Sequence, residues 1–231
     1  QTVYGCMMLR RGEADGLLGG LATPYADTIR PALQILDRSE GVRVIRGAYA
    51  LRFEGRRVFF GDCTVNIRPD AATLAQIAIN TAQVARTFGE EPRVAMLSYS
   101  DFGEVRDEES VRRVRKALAI VRELAPDLEI DGEMQADTAI NPDKAAADFP
   151  FSAIAGRANV LIFPDLSSGN IAYKLLRELG GATAIGPIIT GLNQPVNALA
   201  LGSKVADIVN MATITVNQIL DQETTGDLSI G

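Results

Sequence analysis

From residue 92 onward the chain alternates short apolar runs with stretches of helical periodicity, and nothing else in it constrains the fold as strongly. The runs at 94–99, 128–130 and 158–163 read as strands, the last fully buried, while 108–124, 169–179 and 203–220 read as helices. Parallel neighbours need a crossover long enough to hold a helix, so this succession predicts βαβ units and a mostly parallel sheet. Residues 69–88 add an earlier helix, with Leu74, Ile77, Ala78 and Ala85 on one face. Two β-rich runs, 42–53 and 56–61, meet at Glu54-Gly55 and read as a hairpin. That hairpin breaks the alternation and predicts a mixed sheet or a second lobe. Hydrophobic residues make up 47% of the chain and aromatics only 6%, an Ala/Val/Leu/Ile-rich mix suited to parallel strands covered on both faces. At 231 residues the chain can bury one large domain or two closely packed lobes.

Several function classes are excluded on content. No stretch approaches the ~18 uninterrupted apolar residues of a membrane span. Arg10, Arg11 and Glu13 interrupt the only apolar run near Gln1, which is therefore no signal peptide. Two cysteines, Cys6 and Cys63, make no disulfide framework, which fits a reducing, cytoplasmic setting. A net charge of −6 argues against a nucleic-acid surface. The basic run Arg112, Arg113, Arg115, Lys116 interleaves with Val111, Val114, Leu118 and Val121 at helical spacing, which turns it toward solvent. No internal repeat is visible, and the polar tail at 224–231 is expected to be loosely held. The chain has no histidine at all. Histidine-based nucleophile activation, an HExxH zinc site and a histidine general base are thereby ruled out within it. Chemistry here must use carboxylates, arginines, hydroxyls, backbone amides or a bound cofactor.

Ligands of open α/β sheets bind beyond the carboxyl ends of the strands. Two loops at such ends stand out, Ser98-Tyr99-Ser100-Asp101-Phe102-Gly103 and Pro164-Asp165-Leu166-Ser167-Ser168-Gly169-Asn170. The second leads from a buried strand into a helix, where free N–H groups form a natural anion site, unless Ser167 or Ser168 merely caps that helix. Neither a GxGxxG fingerprint nor a P-loop is present. Asp27-Thr28-Ile29-Arg30-Pro31 offers an arginine suited to phosphate, or equally a surface salt bridge ahead of a proline-started helix. Ser203 is a candidate cap for the last helix, and Gly186-Pro187 and Gln194-Pro195 read as turns.

Taken in order, Gly12-Glu13-Ala14-Asp15-Gly16-Leu17, Asp27-Thr28-Ile29-Arg30-Pro31, Gly61-Asp62-Cys63 and Pro92-Arg93-Val94-Ala95-Met96-Leu97-Ser98-Tyr99-Ser100 resemble the phosphate acetyl/butyryltransferases. Asp131-Gly132-Glu133-Met134-Gln135, Phe163-Pro164-Asp165-Leu166, Gly169-Asn170, Gly180-Gly181, the run from Ile185-Gly186-Pro187 to Gly191, and Pro195-Val196-Asn197 extend the series over nearly the whole chain. Arg10-Arg11-Gly12-Glu13-Ala14-Asp15-Gly16, Ser98-Tyr99-Ser100-Asp101-Phe102-Gly103 and Asp131-Gly132-Glu133-Met134-Gln135-Ala136-Asp137 are similar to the C-terminal phosphotransacetylase-like domain of bacterial NADP-dependent malic enzymes, with Asp101-Phe102 in place of the Gly/Ser/Thr-rich stretch usual in the transferases.

The resemblance implies a two-lobed α/β/α fold like that of isocitrate and isopropylmalate dehydrogenases, with 1–231 forming most of one domain that lacks the family's earliest part. It implies acyl-CoA in an interlobe cleft and dimerisation through this domain. Acetyl-CoA and anion contacts would fall to Thr28, Arg30, Ser98, Tyr99, Asp165, Asn170 and Asp207, with no metal in this domain. In the transferases a Leu-Ser-Arg-Gly motif and a following Asp-Ile-Val segment lie at the reacting thioester. Here those positions read Leu199-Ala200-Leu201-Gly202 and Asp207-Ile208-Val209. Serine and arginine are replaced by Ala200 and Leu201, while Asp207 remains, as a catalytic group or as an acid favoured by the helix dipole. Losing one oxyanion donor typically costs ~100- to 1,000-fold in turnover. The expectation is a regulatory and assembly domain of a malic enzyme that binds acetyl-CoA as inhibitor, with no catalytic residue and little or no transferase activity of its own. NADP and a divalent metal would belong to a separate N-terminal catalytic domain of a higher homo-oligomer. The alternatives are a working phosphate acetyltransferase and a purely structural dimerisation domain.

Overall fold

The computed structural model describes residues 1–39, 42 and 44–227, with the backbone alone over 223–227. Chain contacts divide it into two compact units, 1–45 with 185–231, and 46–184. Numbered in chain order, the first unit holds α1 (Thr2–Arg10), β1 (Leu17–Gly20), α2 (Tyr25–Ile35), most of β7 (Thr183–Thr190), β8 (Val196–Leu199) and α8 (Val205–Asp227). The second holds β2 (Arg46–Phe53), β3 (Arg56–Gly61), α3 (Ala71–Thr87), β4 (Val94–Leu97), α4 (Glu109–Leu124), β5 (Ile130–Met134), α5 (Ala136–Ile140), α6 (Pro142–Asp148), β6 (Val160–Ile162) and α7 (Leu166–Glu178). The architecture is mixed α/β with a mostly parallel sheet, as the alternation predicts.

In the second unit the strand order is β5-β4-β6-β3-β2. β5 with β4, β4 with β6 and β6 with β3 are parallel; β3 with β2 is the antiparallel hairpin, turning at Gly55 with φ +72°. Helices α3 and α4 pack together over one face. Gly61 permits the close approach of α3, since a Cβ there would stand 2.6 Å from the Ile162 side chain and 2.9 Å from that of Ile77. α4 buries Val111, Val114, Leu118 and Val121, each about 1.5–3 kcal/mol of apolar burial. The opposite face carries Tyr49, Leu51, Phe60 and Leu161, packed with Ala139, Ala145 and Tyr173. Tyr173 of α7 stacks on Tyr49 at 4.2 Å between ring centroids.

In the first unit β1 pairs parallel with β8, Leu17 opposite Val196 and Gly20 opposite Leu199. Asn197 is fully buried and ties three elements together. Its Nδ2 donates to Thr215 Oγ1 at 2.9 Å and Gln218 Oε1 at 2.7 Å on α8, and its Oδ1 accepts the Ile189 N–H of β7 at 3.0 Å.

Several boundaries differ from the sequence reading. α2 begins at Tyr25, six residues ahead of Pro31, which lies inside the helix instead of starting it. The strand expected at 128–130 starts only at Ile130 and runs to Met134, because Leu128 closes the turn from α4 by donating to Ala125 O. α7 starts at Leu166, capped by Asp165, whose Oδ1 accepts the Ser168 N–H at 2.9 Å; neither Ser167 nor Ser168 is the cap. Ser203 is not the cap of α8 either, as its hydroxyl donates to Ala200 O at 2.9 Å within a turn. Gly186-Pro187 sits in β7 with a cis peptide bond and is not a turn. Of the tail expected to be loose, 224–227 continue α8, and 228–231 lie outside the described residues. The start of the hairpin run at 42–53 also meets a residue outside them, Arg43; the strand itself begins at Arg46.

Candidate functional site

In the first unit the carboxyl ends of β1 and β8 lie side by side, and each passes through a short turn into a helix, α2 after β1 and α8 after β8. Glycines close this end. Gly20 has φ +96°, and a Cβ on it would stand 2.4 Å from Leu199 O. Gly19 gives room to the Thr28 methyl, which a Cβ would meet at 2.9 Å. Thr28 is accordingly fully buried under β1, with its hydroxyl donating to Pro24 O at 3.5 Å. The structure places it in packing, away from any surface. Arg30 is exposed and pairs with Asp27 at 3.5 Å, the surface salt bridge that its sequence context allowed. Such a pair is worth little in water and leaves the guanidinium available to an anion.

Beyond β8, Ala200 and Leu201 are exposed in the turn that Ser203 closes on Ala200 O. Asp207 accepts the Lys204 N–H through Oδ2 at 2.8 Å, the backward half of a capping box at the start of α8. The aspartate is thus fixed at a helix N-terminus beside the two altered positions, and its helix-start role is now geometric.

In the second unit the sheet has a switch point. β4 leads to α4 and β3 to α3 on one face, while β6, between β4 and β3, leads to α7 on the other. The loops therefore part around the carboxyl end of β6, the place where open α/β sheets hold ligands. Ser98 and Tyr99 follow β4 there, Tyr99 with 59% of its surface exposed. Asp165 and the α7 N-terminus follow β6, and Asn170 donates to Cys63 O at 3.0 Å at the end of β3. Four residues proposed from sequence are thereby gathered at one sheet edge of this unit.

Sequence reasoning missed the groups that hold this edge. Arg113 and Arg115 were expected to face solvent with Arg112 and Lys116. Instead Arg113 reaches Pro164 O at 3.1 Å, and Arg115 forks onto buried Glu133, Nε–Oε2 at 2.6 Å and Nη2–Oε1 at 2.9 Å. Arg115 lies four residues after Val111 and three before Leu118, on the border of the buried stripe, and that spacing was the available signal. Burial pushes the Glu133 carboxyl up, but the Arg115 guanidinium and the Gly103 N–H outweigh it and hold the group below its ordinary range.

Asp62, at φ +40°, accepts the N–H groups of Thr64, Val65 and Asn66 and the Asn66 side-chain amide; burial still pushes its carboxyl above the ordinary value. Next to it, burial and the Asp62 charge push the Cys63 thiol far up, so it is no thiolate nucleophile. Among the described residues no group of His, Cys, Asp and Glu is placed to hold a metal ion, and no helix is long and apolar enough to cross a membrane.

Comparison with known proteins agrees with the coarser resemblance. Residues 1–216 match the sequence profile of the family described as phosphate acetyl/butaryl transferase. The phosphate acetyltransferase of Bacillus subtilis is 45% identical over 220 residues, 95% of this chain and 68% of that protein. A phosphate acetyltransferase of Nitratidesulfovibrio vulgaris is 45% identical over 217 residues, 94% of this chain but 31% of its own length. The crystal structure of a phosphotransacetylase from Streptococcus pyogenes superimposes with a TM-score of 0.91 at 45% identity, covering 95% of this chain and 67% of that one. The chain thus spans about two thirds of some relatives and under a third of others. These relatives overturn the narrower expectation of a malic enzyme regulatory domain, together with its NADP and oxidoreductase parts. Proteins similar over almost the entire chain are named phosphate acetyltransferases, and the few positions that suggested otherwise, Ala200-Leu201 and the stretches 10–16, 98–103 and 131–137, do not outweigh that.

Proposed function

The chain belongs to the phosphate acetyl/butyryl transferase family, and from that premise we propose that it transfers an acyl group between coenzyme A and inorganic phosphate. The observation that carries this reading is the 45% identity to phosphate acetyltransferases over 95% of the chain. In the direction of thioester formation, the CoA sulfur attacks the acyl carbon of an acyl phosphate. The C–S bond forms, the C–O bond to phosphate breaks, and phosphate leaves with the bonding pair. The thiol proton goes to a nearby carboxylate, and Asp207 is the candidate in the first unit, held by its bond to Lys204 N–H.

Ala200 and Leu201 can donate nothing to the oxyanion that develops at the acyl carbon. Stabilisation then rests on Arg30 and on N–H groups at the start of α8, a weaker set than a preorganised serine and arginine. The proposed activity is therefore acyl transfer at a modest rate. Folded protein incubated with acetyl phosphate and CoA should form acetyl-CoA, and Asp207→Asn should slow it. Absence of thioester from folded, CoA-binding protein would refute the proposal. Parallel reactions with butyryl phosphate give the acyl preference.

A further inference from the structure

The loop between β4 and α4 carries Ser98 and Tyr99 to the sheet edge, yet has no regular structure of its own. The end of β5 orders it, with one buried carboxylate at the centre. Glu133 is 1% exposed at the end of β5. Its Oε1 accepts the Gly103 N–H at 2.8 Å and the Ser100 hydroxyl at 3.3 Å, and its backbone oxygen accepts the Phe102 N–H at 2.8 Å. Arg115, forked onto the same carboxylate, also donates to Val105 O at 3.0 Å, and the Val105 N–H returns to the Ser100 hydroxyl at 3.1 Å. Gln135 closes the other side, giving its N–H and Nε2 to the two oxygens of Asp101 at 2.8 and 2.7 Å. The loop is thus bonded to the end of β5 along its length, while Tyr99, between the anchored Ser98 and Ser100, stays exposed.

We infer that Glu133 and Arg115 are positioning residues for CoA binding, holding the β4–α4 loop so that Tyr99 and Ser98 meet the CoA molecule at the edge of the second unit. This rests on the acyl-transfer reading, in which CoA is a substrate. The geometry suits the task. A buried carboxylate receiving a bidentate guanidinium and further loop donors is rigid, and a displacement of about 1 Å at a binding loop can cost up to ~100-fold. Mere packing would not require the fork to be shared with loop backbone at both Gly103 and Val105.

The test is a comparison of wild type, Glu133→Gln, Arg115→Lys and Tyr99→Ala in steady-state transfer and in CoA binding by calorimetry, well below the melting temperature of each. A partly unfolded population lowers the apparent kcat and leaves KM unchanged, whereas a displaced loop raises KM. The expected result is a rise of about 10-fold or more in KM and Kd for CoA in Glu133→Gln and Arg115→Lys, with kcat nearly unchanged, and a similar rise in Tyr99→Ala. Arg115→Lys keeps the charge and loses only the fork, so it serves if Glu133→Gln does not fold. If Tyr99→Ala weakens CoA binding while the other two leave it intact, the positioning inference is overturned and the site stands. If Tyr99→Ala has no effect, this edge does not contact CoA and the inference falls. If wild type binds CoA but transfers nothing, the function proposal alone fails, and the Kd values still decide the inference.

Discussion

At the scale of single residues, positions 200 and 201 bear on the proposed acyl transfer, Arg46 on stability, and Glu133 on the dependence of stability on pH. Replacing Ala200→Ser and Leu201→Arg together restores two donors to an exposed turn at the start of α8. Turnover should rise about 100- to 1,000-fold, the usual worth of an oxyanion donor, with smaller effects in each single variant. Arg46 is 2% exposed, and its Nε and Nη1 find no partner among the described residues; only Nη2 bonds, to Gln76 at 3.3 Å. Burial lowers its affinity for the proton, and the nearby Asp62 charge only partly offsets this. Arg46→Met removes two buried donors that lack partners and should therefore be neutral or stabilising in urea unfolding. A clear loss of stability would contradict this view of Arg46. Glu133 has a depressed pKa in the folded state. Its contribution is present above the unfolded value of about 4.3 and is lost as pH falls through the folded value. Wild type should lose stability on acidification over that window more steeply than Glu133→Gln, while the variant is about 1–3 kcal/mol less stable at neutral pH. Parallel slopes for the two proteins would show that Glu133 does not carry the linkage.

At the scale of elements, the parts legible in sequence were those with strong local periodicity. The hairpin about Glu54-Gly55, the long helices α3 and α4 and the buried strand β6 announce themselves through spacing and a turn glycine. The first unit was much less legible, since β1 and β8 are four residues each and pair across nearly the full length of the chain. Four residues give too few positions to show a period, and their pairing depends on tertiary contact. Proline and serine misled for a related reason. Pro31 allows a proline-started helix and Ser203 is a candidate cap, but α2 already turns from Tyr25 and Asp207 fills the capping role from inside α8. The glycine pair at the end of β1 has a direct consequence. Gly20→Ala would set a methyl against the Leu199 backbone at positive φ and should cost about 1–3 kcal/mol in denaturant unfolding. Because that strand end carries the turn to α2 and lies against the end of β8, which carries the turn to α8, the same variant should also lower the proposed acyl transfer at temperatures where it remains folded.

At the scale of the whole molecule, the ordered series of motifs was enough for the fold and the family, because many short segments in one order are hard to match by chance. The narrower malic enzyme reading leaned on a few positions, and relatives similar over nearly all of the chain corrected it. The candidate site was legible as residue types at strand ends, Ser98, Tyr99, Asp165 and Asn170 among them, since topology alone puts such residues at one edge. What could not be read was the support beneath it. The Glu133–Arg115 fork joins a strand end to a helix flank through side-chain direction, which sequence spacing constrains only weakly. The most direct test of the central claim is the initial rate of acetyl-CoA formation from acetyl phosphate and CoA, measured side by side for wild type and the Ala200→Ser/Leu201→Arg variant. Acyl transfer by this family member predicts measurable thioester from wild type and a rate about 100- to 1,000-fold higher from the variant. Thioester from neither, with both proteins folded and binding CoA, would contradict it.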